Sequence, residues 1–104
     1  MKLAENQLRN VLYELSITSD VRLVVVNNFD CPGLSIGDYS NNVYCLGADN
    51  STIWQVQAPD SRHGRDQFTS AKNSGAGIIL VRGSGTTYEV DTLTGVAREI
   101  GLER

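Results

Sequence analysis

The sequence predicts an all-β domain: a small antiparallel sandwich or half-open barrel of about seven or eight strands, built from consecutive hairpins. Three observations lead there. The stretch NVYCLGADNSTIWQV, residues 42–56, sets two apolar runs around a polar turn, a hairpin pattern. VRLVVVN, residues 21–27, is dense in β-branched valine, the residue type that packs best on a pleated surface. TTYEVDTLTGVAREI, residues 86–100, alternates inward and outward side chains and contains its own turn, TLTG.

Taken along the chain, a short helical or loose start runs through residue 8, and a strand begins near residue 10. In that strand Val11, Tyr13, Leu15 and Ile17 fall on one face, with Leu12, Glu14 and Ser16 on the other. A helix is the rival there, since Leu8, Val11, Leu12 and Leu15 also fit an apolar stripe. Thr18-Ser19-Asp20 supplies the turn into the valine strand. Residues 28–42 form a long loop rich in Gly, Asn, Asp and Ser, which is either functional, as loops of this length often are, or an extended crossover between sheet edges. The hairpin of residues 43–58 turns at Ala48–Ser51 and places Trp54 and Val56 inward, with the indole nitrogen reaching a backbone acceptor. A polar loop, 58–66, precedes QFTSAK and the turn NSG; AGIILVRG then reads as a strand covered on both faces. In the last hairpin Tyr88 and Val90 point inward and Thr87, Glu89 and Asp91 outward. Tyr44 and Tyr88 stand 44 residues apart, and Leu46 with Val90 and Val56 with Ile100 share that offset, a faint repeat of hairpin size.

The 104 residues suit a single domain, 1–104, with one modest core. A formal charge of −3 argues against nucleic-acid binding. The acid is unevenly placed: Asp20, Asp30, Asp38, Asp49 and Asp60 face the lone base Arg22 between residues 20 and 60, whereas 61–98 carries Arg62, Arg65, Lys72, Arg82 and Arg98 against Asp66, Glu89 and Asp91. If the fold keeps these parts on different surfaces, the first attracts a basic partner. MKLAENQLRNVLYEL has no continuous apolar run of the signal-peptide kind, and no run spans a bilayer, so a cytoplasmic location without membrane contact is expected. Cys31 and Cys45 are then expected as thiols, and two cysteines with one histidine do not compose a zinc site.

Both hairpins, with an apolar pair before a polar turn and Trp54 after it, resemble inner strands of quinoprotein-like propeller blades. The chain has strands for far less than a closed propeller, so the likeness implies antiparallel β architecture and no quinone site. In size, acidity, β content and absence of a catalytic motif, the chain also resembles the immunity proteins of bacterial contact-dependent growth inhibition systems, which bind and silence a cognate toxin, often a basic nuclease.

Chemistry is sparse in the sequence. His63 stands in PDSRHGRD beside Asp60, Arg62, Arg65 and Asp66, which together could supply an acid, a base and an anion clamp. Ser84 in GSGTT lacks the spacing and lysine of a phosphate loop and suits a hairpin turn. Glu89 and Asp91 share the outward face of one strand. No catalytic residue, metal ligand or cofactor is assigned. The resemblance and the acid excess imply a protein that binds a basic toxin through Asp30, Asp38 and Asp49, with Phe29 and Tyr39 as contact aromatics. The alternatives are a small ligand-binding or hydrolytic domain using the His63 loop, and an oligomer formed by pairing of open strand edges; the oligomeric state itself is open.

Overall fold

The computed structural model describes residues 5–28, 33–59, 66–75 and 77–102. Among these residues the chain forms eight strands in two four-stranded antiparallel sheets. The first sheet contains β1 (Val11–Ser16), β2 (Arg22–Val26), β3 (Val43–Leu46) and β4 (Thr52–Gln55), in that order. The second contains β5 (Phe68–Asn73), β6 (Ile78–Arg82), β7 (Thr86–Val90) and β8 (Ala97–Leu102), again in order. Each sheet is thus a meander of hairpins, the architecture the alternation and turn clusters predict. Two short helices complete it: α1 (Glu5–Leu8) before β1, and α2 (Ile36–Ser40) between β2 and β3.

The inner faces of the two sheets make one core. Leu23, Val25, Val43, Cys45, Trp54 and Val56 come from the first sheet or its flank, and Phe68, Ala71, Ile78, Leu80, Tyr88, Val90 and Ala97 from the second. The predicted inward positions of Trp54, Val56, Tyr88 and Val90 are all buried. The Trp54 indole N–H donates to the Thr92 carbonyl at 2.9 Å, in the turn between β7 and β8. Trp54 thereby pins β4 to the opposite sheet, satisfying its polar edge while its rings exclude water.

The first sheet is buried on its other face too. Val24, Val26, Tyr44 and Leu46 form a second cluster, against which Leu8 of α1 and Val11 pack. Burial on both faces explains why β2 reads as an unbroken apolar run rather than an alternating one. Here the structure departs from the expected single apolar face of β1. Val11 pairs with Val26 but Tyr13 pairs with Val25, so a bulge inserts one residue between them. The extra residue reverses the facing: Val11 joins the second cluster, whereas Leu15 and Ile17 pack on the inter-sheet core. Tyr13 remains 42% exposed.

Two further expectations change. The connection 28–42 is not all loop, because Ser35 caps α2, its hydroxyl accepting from the Asp38 amide at 3.1 Å. The 44-residue offset sets the β3–β4 hairpin on the β7–β8 hairpin, each the last of its sheet, but the facing does not repeat. Tyr44 and Tyr88 both lie on the third strand of their sheets, yet Tyr44 belongs to the second cluster and Tyr88 to the inter-sheet core.

The Trp54 contact generates a sharp prediction at Gly95. This residue has φ +81, and a Cβ there would sit 2.6 Å and 2.7 Å from Trp54 ring carbons. Gly95→Ala must therefore both strain the backbone and displace the tryptophan, and we expect a loss of about 2–4 kcal/mol in urea unfolding. Gly77→Ala is the control. Its added methyl meets only Glu89 at 3.9 Å, and a change under about 1 kcal/mol is expected. Equal midpoints for the two variants would show that Gly95 does not seat the indole.

Candidate functional site

At one end of the sandwich the inner face of the second sheet turns polar. Arg82 follows Ile78 and Leu80 on the same face of β6 and is only 2% exposed. Its guanidinium lies 4.2 Å from the Phe68 ring centroid and 5.0 Å from that of Tyr88. The two rings themselves meet edge to face, 5.4 Å apart at 77°. Nη1 donates to the carbonyls of Ser40 and Asp66, both at 2.7 Å; Nη2 donates to Pro59 at 3.2 Å, and Nε to the Tyr88 hydroxyl at 3.1 Å. Backbone dipoles and aromatic faces thus replace water around the cation.

A second polar seam lies beside it. The Asn42 side chain accepts from the Phe68 amide at 2.7 Å and donates to the Phe68 carbonyl at 2.8 Å and the Val26 carbonyl at 2.7 Å. One amide therefore joins β2 to the start of β5, across the two sheets. Asn28 is likewise fully buried; its Nδ2 donates to the carbonyls of Asp38 and Tyr39 at 3.3 Å and 3.4 Å, and its backbone amide donates to Gln67 Oε1 at 2.9 Å. With Arg82 holding the Ser40 carbonyl, both seams fix the C-terminal half of α2.

This places the residues that the sequence singled out. Asp38 stands exposed on α2, next to the half-buried Tyr39. Among the described residues the Asp38 carboxylate takes part in no hydrogen bond or ion pair. Asp49 sits at the opposite end of β3, in the turn to β4, where its carboxylate accepts from the Ser51 amide and hydroxyl at 3.0 Å and 2.8 Å. The four residues of β3 alone separate these ends by about 13 Å. Phe29, Asp30, Cys31, Asp60 and His63 lie outside the described residues. The fold brings Asp38 and Tyr39 together and holds Asp49 apart from them.

Beside Asp38 runs an open groove of about 610 Å³ along the outer edge of β4. Its lining includes Asp38, Asn41, Ile53, Trp54, Gln55 and Thr94 of the β7–β8 turn. Ile53 is 53% exposed there, although Trp54 beside it is buried. The Oδ1 atom of Asn41 is buried and has no hydrogen-bond partner. No base lines this groove among the described residues. Two other hollows differ in charge. One of about 500 Å³ contains the Glu89–Arg98 ion pair at 2.8 Å, and one of about 320 Å³ contains Arg22 paired with Glu14 at 3.3 Å. Asn41, Ile53 and Gln55 were not singled out by sequence reasoning; only Ile53, at an outward position beside an inward tryptophan, carried a legible sign.

Several other polar groups among the described residues serve structural contacts. The Asp66 carboxylate accepts from the Ser84 amide and hydroxyl at 3.1 Å and 2.6 Å, which ties the β6–β7 turn to the start of β5, as a turn role for Ser84 requires. Glu89 accepts from Arg98 across β7 and β8. No group of three or more metal-ligating side chains occurs among the described residues. Cys45 is a buried free thiol in the core, and burial pushes it above the ordinary thiol range.

Two outcomes follow for the interior. Arg82→Met keeps the volume but leaves the carbonyls of Ser40, Asp66 and Pro59 without a donor, so we expect a loss of about 3–5 kcal/mol in denaturant unfolding; a stability at or above that of the parent would refute the structural role. For Cys45, the folded state holds its proton to higher pH than the unfolded state does. Its contribution is therefore complete below the ordinary thiol range and declines as pH rises above it. Stability measured from pH 8 to 10 should fall less in Cys45→Ala than in the parent, and thiol labelling of the parent at pH 8 should proceed only at the rate of opening.

Comparison of the chain with protein-family models, curated protein sequences and solved structures returned no match in any of the three.

Proposed function

We propose that this chain is a binding protein of the immunity type, which neutralises a basic protein toxin in a bacterial cytoplasm by covering its active site. The observation that carries the reading is the state of Asp38. Its carboxylate is exposed and unpaired, and it stands beside Tyr39 on a helix whose backbone is fixed by Asn28 and Arg82. An acid held in place without an internal partner is suited to an external base. A rigid support also reduces what must be ordered on binding, which favours affinity. The neighbouring Tyr39 offers contact area of the kind that concentrates binding energy once water is excluded.

The reading also reconciles the acid excess of residues 20–60 with the fold. Asp20, Asp38 and Asp49 all belong to the first sheet and its connections, whereas Arg82, one of the bases counted in the second half, is interior and contributes nothing to a surface contact. Charges at the edge of such a contact act mainly on association rate and on its salt dependence.

Affinity capture of the tagged protein from its native cells should recover a stoichiometric basic toxin, and the purified pair should associate more slowly as salt rises. Asp38→Lys should slow association by about tenfold and flatten that salt dependence. Asp49→Lys should change it less than about twofold, because the spacing along β3 exceeds the screening length of about 8 Å at physiological salt. Stopped-flow rates left unchanged by Asp38→Lys would sink the acidic-contact reading. Equal effects from the two reversals would show that no local contact at α2 is being read.

A further inference from the structure

We infer that the outer edge of β4 is a docking site for an extended segment of the partner that carries Arg or Lys, which adds to the first sheet as a further strand. The inference rests on the reading above in taking the occupant to be a protein, and it names the contact that such a protein makes.

The argument starts with the backbone. β4 ends its sheet, with β3 on one side only. The amide of Val56 donates inward to Val43 at 2.9 Å, whereas the next residue points outward: the Gln57 amide donates to Gly95 at 2.8 Å and its carbonyl accepts from Ala97 at 2.9 Å. Alternation along an antiparallel ladder therefore directs both backbone groups of Gln55 outward as well. Among the described residues neither has a partner across that edge. The edge is thus competent to pair, since Gln57 already forms an isolated parallel bridge with Val96, and the pairing stops just short of Gln55.

The side chains then select the occupant. Asp38 presents an exposed, unpaired carboxylate, and no base lines the groove among the described residues. That carboxylate asks for a donor, and a cationic one meets it best. The Gln55 side chain is already engaged, donating to the Asn41 carbonyl at 2.9 Å, so it stiffens the wall rather than filling the groove. Ile53 supplies the apolar contact of an added strand, whose alternate side chains meet opposite faces. An incoming segment with Arg or Lys at every second position and apolar residues between matches this pattern; an acidic one is repelled by Asp38.

The probe is an acetylated, amidated octapeptide of alternating Arg and Val, added to the full chain and followed by amide exchange and backbone chemical shifts. Docking predicts at least about tenfold slower exchange at Gln55 and shifts confined to Ile53–Gln57, Asp38 and Thr94. Asp38→Asn, which preserves the shape of the site, should weaken binding about fivefold. The same peptide N-methylated at alternate residues keeps its charge but cannot pair, and should lose the Gln55 protection. Equal binding of an alternating Glu-Val peptide, protection that survives N-methylation, or binding that leaves Gln55 exchange unchanged would each overturn the inference. So would concentration-dependent protection of Gln55 in the chain alone, which would make a second copy the occupant. Failure of the toxin reading is separate: it shows as no basic toxin in the capture, whatever the peptide does.

Discussion

A guanidinium that has left water entirely must recover each lost hydration bond from the protein, and at Arg82 the recovery comes from backbone carbonyls on three separate segments together with the Tyr88 hydroxyl. Such a cation cannot tolerate displacement of any one of those segments, because the orphaned donor would remain buried. The end of α2, the residue before the 60–65 segment and the residue after it are consequently fixed relative to β6. An apolar residue of similar size would fill the volume but leave the carbonyls of Ser40, Asp66 and Pro59 without a donor, so the arginine selects the one arrangement in which all three converge.

Asn42 extends the same logic to the sheets. Phe68 begins β5 at a point where its amide and carbonyl have a partner strand on one side only, and the Asn42 side chain supplies a donor and an acceptor on the other. A sandwich must carry its long connections over the ends of its sheets, where ladder hydrogen bonds run out. In the described parts of those connections, 27–28, 33–42, 56–59 and 66–67, the side chains of Asn28, Asn42, Gln67 and Arg82 serve as the ladder. The inter-sheet core gives cohesion without direction; the polar end gives the direction.

How much of this was legible depends on the kind of signal. Alternation in β7 and in the Trp54 hairpin is imposed by backbone geometry, so facing could be read residue by residue. The β1 bulge breaks that period by one residue, and nothing in VLYELS marks the insertion. The helix α2 is too short for periodicity, yet Ser35 and Asp38 stand at the spacing of an N-cap and its first-turn acid, a usable sign that the loop-rich composition obscured. Arg82 was also partly legible: it continues the Ile78–Leu80 face by two, which already directs it inward. The candidate site was the least legible part. Asp38 and Asp49 look alike as acids in one stretch of sequence, and only the course of β3 between them shows that a single partner residue cannot meet both.

The net charge of the sequence differs from the charge a partner meets. Arg82 is counted as a base but is enclosed by carbonyls and aromatic rings, and Arg22 is committed to Glu14 and to the Asn50 side chain. Asp38 has no such commitment. Internalising a base while leaving an acid unpaired makes the surface around α2 and β4 more acidic than the formal sum implies, and confines the excess to where a strand edge also lacks hydrogen-bond partners. Electrostatic attraction alone would favour any cation, and an open edge alone would accept any extended chain. Their coincidence along β4 is what the docking proposal rests on: a segment both extended and basic would satisfy the backbone of Gln55 and the carboxylate of Asp38 in one contact.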